Sequence, residues 1–359
     1  MRSLQALYFD LLVIEAVKKF LEIFSLDSVS QIVLGAAVSE AVIGKYVGRK
    51  ALLWGAVAGT LPDLDVLVPF DDPVKNFTYH RSFSHSLFLL TLITPALTWL
   101  ITKIHPSTGQ YRNRWGCAVW LTLITHTVLD CFTVYGTQIF WPFSEYPVTW
   151  STVFIIDPMY TIWLIIGVLF ALIMSRNYDT GHRLNGIGLV LSSIYLLFTV
   201  GGKVYIESVV ESTLERKQIS HTKIMTTPAP FNTLLWRIVI VCEGGYYEGF
   251  YSLLDKSDKV QFTRYPSHPG LAAEIQDSWT VQRLQWFTKG VYRVLEKEGE
   301  IIMTDLRMGQ EPFYTFSFIV GRRKSGKITS VPTGRAPTER GGTDQIRWVW
   351  ERIWSETAR

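Results

Sequence analysis

Hydrophobic and polar positions change their spacing near residue 207. Upstream, apolar residues come in long runs of helical length; downstream, they come in short stretches that alternate with polar ones. The upstream runs cover residues 29–43, 51–61, 86–104, 115–134, 153–174 and 186–204. The run at 86–104 is about the ~20 residues needed to cross a bilayer as a helix. Small residues in the first run (Gly35, Ala36, Ala37, Ser39, Ala41) allow close helix–helix contact. Pro62 ends the second. Ahead of them, residues 4–24 are apolar at helical spacing but broken by Asp10, Glu15, Lys18 and Lys19, so residues 1–27 read as an amphipathic helix.

Beyond the shift, residues 207–220 read as an amphipathic helix. Strands are expected at 234–242, 246–254 and 259–264, with Glu243-Gly244-Gly245 as a hairpin turn. A helix at 271–288 and strands at 291–295, 300–305 and 313–320 follow. The stretch 322–344 is basic and rich in Gly, Pro, Ser and Thr, which points to flexibility, and 346–355 suits a short helix with three tryptophans. The expected fold is an α-helical integral membrane domain (28–206, about four to six embedded helices), then a small α+β soluble domain (207–321) and a basic tail (322–359).

Composition agrees with this division. Charged residues make up 18% of the chain, below the ~25% usual in soluble domains, and the deficit falls on 28–206. A net charge of +4 is too small to suggest a nucleic-acid partner. Cys117, Cys131 and Cys242 have no metal or redox spacing, and those in apolar segments read as buried small residues. The loops at 103–114 and 176–183 are basic, whereas 135–152 has no lysine or arginine and is rich in aromatics. By the positive-inside rule the basic loops face the cytoplasm of a multi-pass inner-membrane protein, placing the polar clusters and the C-terminal domain on the periplasmic side.

Those clusters carry the candidate chemistry. Pro62-Asp63-Leu64-Asp65, Tyr79-His80-Arg81-Ser82-Phe83-Ser84-His85-Ser86 and Thr125-His126-Thr127-Val128-Leu129-Asp130 lie at or inside apolar segments, where ionisable groups are costly and usually functional. His126 and Asp130 share a helix face, which suits two ligands on one metal or, alternatively, a buried pair that pins helices. Asp63 and Asp65 reach one cavity if the backbone is extended; otherwise they cap a helix. Ser82 or Ser84 is expected to cap the helix from Ser86, and Arg81 to hold an anion. Asp157 either joins the polar set or caps its helix. A mixed nitrogen and oxygen donor set favours a divalent ion, Zn with Mn or Fe as alternatives. Such an ion makes hydroxide from bound water.

At these residues the chain resembles the YdjM-like family of membrane-bound, LexA-regulated metal-dependent hydrolases. PDLD, HRSFSHS and THTVLDCFTVYGTQIFWPFS carry the resemblance over residues 25–175, and TTPAPFNTLLWR extends it into a subgroup with an added C-terminal domain. The match implies Asp63, Asp65, His80, His85, His126 and Asp130 as metal-site residues. The family pattern also has a histidine after PDxD and another near the N-terminus; here Val66 and, approximately, Asp27 or Gln31 stand there.

Two functions follow. The first is a membrane hydrolase that cleaves an ester or phosphoester, of a phospholipid or membrane-anchored substrate by location, with Asp65, His85 and Arg81 in catalytic roles. The second is a non-enzymatic scaffold or regulator whose His/Asp clusters lock helices while the C-terminal domain binds a partner.

Overall fold

A computed structural model describes residues 26–174, 178–338 and 342–356. The N-terminal helix expected at 4–24 and part of the basic loop at 176–183 lie outside the described residues. The apolar runs become α1 (Leu26–Val47), α2 (Lys50–Thr60), a short α3 (Pro73–Tyr79), α4 (Leu87–Ile104), α5 (Arg112–Cys131), α6 (Pro158–Ile173) and α7 (Tyr178–Lys217). Sheet-forming segments follow: β1 (Lys223–Pro228), β2 (Leu235–Cys242), β3 (Gly245–Ser252) and β4 (Gln261–Pro266). After α8 (Pro269–Ala273) and α9 (Trp279–Phe287) come β5 (Tyr292–Lys297), β6 (Glu300–Asp305), β7 (Gly309–Gln310) and β8 (Phe313–Tyr314). The chain closes with β9 (Ser317–Lys324), β10 (Lys327–Arg335) and α10 (Thr343–Trp354). A helical region therefore precedes a sheet-rich one, as the change of spacing predicts.

Among the described residues, two helices are long and apolar enough to cross a membrane, Leu87–Ile104 and the part of α7 from Asp179 onward; α6 is apolar but shorter. The last run differs from expectation. The runs at 186–204 and 207–217 fall in one 40-residue helix rather than two, and no proline interrupts it. Asp157 accepts from the Met159 amide (2.9 Å) and so caps α6.

The chain folds as two compact units. One reaches to Val66 and includes Ile93–His126 and Tyr160–Ser192; the other holds Leu67–Leu92, Thr127–Met159 and the chain from Ser193. α4, α5 and α7 each run unbroken through the division. In the first unit, α1 and α2 are joined by Gly48 and Arg49 and pack antiparallel, with Gly35 against Gly55 and Gln31 against Gly59. A Cβ on Gly55 would strike the Gly35 carbonyl oxygen, so the small residues noted in the sequence set how closely these helices approach. α6 and α7 pack likewise, with Gly188 against Trp163 and Gly181 against Ala171. Cys117 is exposed rather than buried.

In the second unit two four-stranded antiparallel sheets have the orders β1-β2-β3-β4 and β10-β9-β6-β5, and β7 pairs with β8. The basic stretch from Arg322 to Arg335, which composition marks as flexible, lies instead in β9 and β10. Lys324 pairs with Lys327 across Ser325-Gly326, both at positive φ (49° and 82°), a turn whose twist suits the hairpin. Phe77 of α3 and Tyr135 from the loop after α5 are buried in one core with Val281, Leu284, Phe287, Val294, Ile301 and Phe318. The segments before His80 and after Asp130 are thereby fixed by the sheets.

Candidate metal site

Pro62 ends α2 and the chain turns through a 3-10 segment, Pro62–Leu67. At about three residues per turn, positions two apart diverge. Asp63 and Asp65 therefore do not share a direction, as an extended backbone would have allowed. Asp63 Oδ1 lies 3.6 Å from His126 Nε2. The other ring nitrogen, Nδ1, is 2.7 Å from the Gly59 carbonyl oxygen, where it donates. In the neutral ring that bond sets the tautomer with Nε2 toward Asp63, the arrangement that backbone carbonyls impose on metal-ligating histidines. Gln31 Nε2 donates to the His126 carbonyl (3.3 Å).

Asp130 stands one turn further along α5, on the same face. His85 Nε2 is 3.0 Å from Asp130 Oδ2, and Arg81 Nη1 is 3.3 Å from Asp130 Oδ1. Ser84 Oγ lies 2.9 Å from His85 Nδ1, holding the ring from behind. His85 closes a short 3-10 turn, Phe83–His85, rather than the first turn of α4. Leu89 N–H bonds Ser86 Oγ (3.2 Å), so Ser86 is the cap, not Ser82 or Ser84: the helix begins one residue later, at Leu87.

A single helix thus joins the two pairs. One donor atom from each of Asp63, His85, His126 and Asp130 lies within 4.8 Å of the others. His85, His126 and Asp130 are buried, and the Asp63 side chain is 16% exposed, forming the open edge. Ligands about 2.1 Å from one ion in a tetrahedral set stand roughly 3.4 Å apart. The 3.6 Å between His126 Nε2 and Asp63 Oδ1 matches that edge and is too long for a hydrogen bond. Two nitrogens and two carboxylates are a donor set that a divalent ion accepts; they do not by themselves select the metal.

His80 stands beside this group, its ring 6.3 Å from that of His85. Asp65 is buried in the Pro62–Leu67 turn and His80 follows α3, its ring edge-on to Tyr135 (5.2 Å); neither is in the group of four. Arg81 is buried at a left-handed φ of 60° and gives Nη1 to Asp130 and to Thr133 Oγ1 (3.2 Å). It thus holds a carboxylate, that of Asp130, within the chain itself. Sequence reasoning missed Gly59, whose carbonyl orients His126, because any residue supplies that group.

The loop carrying these residues is secured within its own unit. Tyr135 Oη donates to the Phe77 carbonyl (2.6 Å), Gln138 Nε2 to the Thr78 carbonyl (2.8 Å) and Arg307 Nη1 to the Tyr135 carbonyl (3.0 Å). Arg307 is in turn held by Asp305 (2.8 Å).

Comparison with known proteins bears on the family. The chain is 24% identical over 334 residues to the uncharacterized protein YfhP of Bacillus subtilis (strain 168), covering 86% of this chain and 95% of that one. No solved structure matches. The family model described as YdjM inner membrane protein matches residues 26–206, from the start of α1 through most of α7 and including all four clustered residues. Half the chain is matched, and it is the half that builds the His/Asp group: the protein belongs to the YdjM inner membrane protein family.

Proposed function

We propose that the protein is a multi-pass inner-membrane hydrolase that holds one divalent ion, zinc in the first instance, between Asp63, His85, His126 and Asp130. The observation that carries this is the gathering of one donor atom from each of the four residues within 4.8 Å of the others. In the neutral ring, Nδ1–H given to Gly59 leaves Nε2 with its lone pair toward Asp63 Oδ1, where a cation suits both atoms. A bound ion there supplies Lewis-acid polarisation and lowers the pKa of a water molecule to near neutrality.

The protein's residues do the rest. His85 and His126 are held by Ser84 and Gly59, so their Nε2 atoms need no reorganisation to meet an ion. Arg81 fixes Asp130 and offsets its charge in a buried setting. Asp63, at the exposed edge, is placed to exchange a proton with solvent or substrate through its carboxylate oxygens. The substrate class is an ester or phosphoester of a lipid or membrane-anchored molecule, supported by membership of a membrane family.

Elemental analysis of detergent-purified protein tests this first. Stoichiometric divalent metal is expected; a metal-free, stable and folded protein supports the scaffold reading instead. The proposed orientation has the site and the C-terminal sheets in the periplasm, with four to six helices embedded. Cysteines placed at the exposed positions Ser144, Ser325 and Ser107, in a background lacking the native three, report it. An impermeant thiol reagent is expected to reach positions 144 and 325 but not 107; labelling at 107 alone inverts the topology.

A further inference from the structure

α10 carries more apolar surface than its own unit covers. Val349 and Ile353 are buried against Ala229 and Leu235, and Arg352 is clamped by Asp255 (2.7 Å). Beside that covered face, Ile346, Trp350 and Trp354 follow one another at four-residue spacing and stand 53%, 63% and 64% exposed. Such spacing lines them along one stripe of the helix. Leu254, next to the Asp255 that grips Arg352, is exposed as well. Four of the five large hydrophobic residues exposed among the described positions beyond 207 are therefore gathered here; the fifth is Trp279.

The place of this stripe along α7 gives it meaning. Gly202 of α7 lies against Trp236 and Leu253, Tyr195 Oη is 2.7 Å from Thr233 Oγ1, and Lys203 Nζ donates to the Thr226 carbonyl (3.1 Å). The start of β2 is thus level with residues 195–203. Farther along the same strand, Ile238 and Ile240 pack with Val209, Val210 and Leu214, so β2 runs away from the apolar part of α7. α10 covers Leu235, at the near end. At that level α7 still exposes Leu197, Phe198 and Val204, a surface that in a membrane-family protein faces lipid. The stripe continues that surface at the depth where tryptophan is favoured, the membrane–water boundary.

We propose that α10 is an interfacial anchor: its Ile346–Trp350–Trp354 stripe rests in the headgroup region of the bilayer and holds the sheet domain down on the membrane. The anchor is independent of what the His/Asp group catalyses. Full-length protein lacking the native cysteines, reconstituted in phosphatidylcholine vesicles, is labelled with an environment-sensitive fluorophore at Trp350→Cys, Trp354→Cys or, as a control, Glu243→Cys. Glu243 is exposed in the turn beyond the far end of β2, about 25 Å from Leu235 at ~3.3 Å per residue. Because all three positions are exposed, the labelled variants are expected to keep the parent melting temperature. Brominated acyl chains in the vesicles should quench the label at 350 and at 354 and leave the label at 243 unchanged. Equal emission with and without bromine at 350 and 354 overturns the proposal. So does disulfide cross-linking of two copies through position 350 without quenching, which assigns the stripe to a second copy of this chain.

Discussion

Glu40 and Asp63 each meet a histidine within the helical region, but their surroundings differ in kind. Glu40 on α1 is buried and receives donors: Asn185 Nδ2 at 2.6 Å on one oxygen and His182 Nδ1 at 3.2 Å on the other. Asn185 also donates to the Ala37 carbonyl (2.9 Å), tying α7 to α1. His182 is 38% exposed. That is a carboxylate closed by hydrogen bonds. Asp63 instead faces a histidine whose N–H is already given to Gly59, and the neighbouring pair adds a second carboxylate and a second imidazole. Donors around a carboxylate build helix packing; acceptors converging on one point build a cation site.

The comparison breaks most readily at the metal. His126→Ala and Asp130→Asn are each expected to abolish stoichiometric metal, while His182→Ala retains it, all read by elemental analysis. Equal metal in the three variants would remove the distinction between the two pairs. A smaller effect is expected on stability. Arg81→Met leaves Asp130 buried without its compensating charge, which costs about 3–5 kcal/mol; thermal unfolding of metal-stripped protein measures it. An unchanged melting temperature would show that Asp130 does not depend on Arg81. The smallest effect is expected from Glu40→Gln. The amide still accepts from Asn185, so the loss should be about 1–2 kcal/mol with metal content intact. Metal loss in that variant would mean the Glu40 network supports the site after all.

Much of this was legible in the chain. Helical runs, small-residue contacts, the Glu243-Gly244 turn and the three polar clusters all lie in local spacing, and local spacing follows from residue volume, polarity and backbone preference. The sequence suggests two helices where α7 is one, because a change from apolar to amphipathic composition looks like a boundary, although no proline breaks the backbone there. The β9–β10 hairpin was hidden because basic, glycine-containing strands resemble a flexible tail until a partner strand supplies their hydrogen bonds.

By itself the sequence determined that His126 and Asp130 share a face, since helical geometry fixes positions four apart. It also determined that the PDLD and HRSFSHS segments interrupt apolar helices at polar turns. Only the tertiary structure decided that Asp63 rather than Asp65 meets His126, because the turn after Pro62 is tight and rotates the two side chains apart. Only the fold turned Arg81 toward Asp130, enlisted the Gly59 carbonyl to orient His126, and buried Phe77 and Tyr135 among the sheets. Those outcomes depend on which groups meet across long stretches of chain, and spacing along a sequence does not encode distance across it.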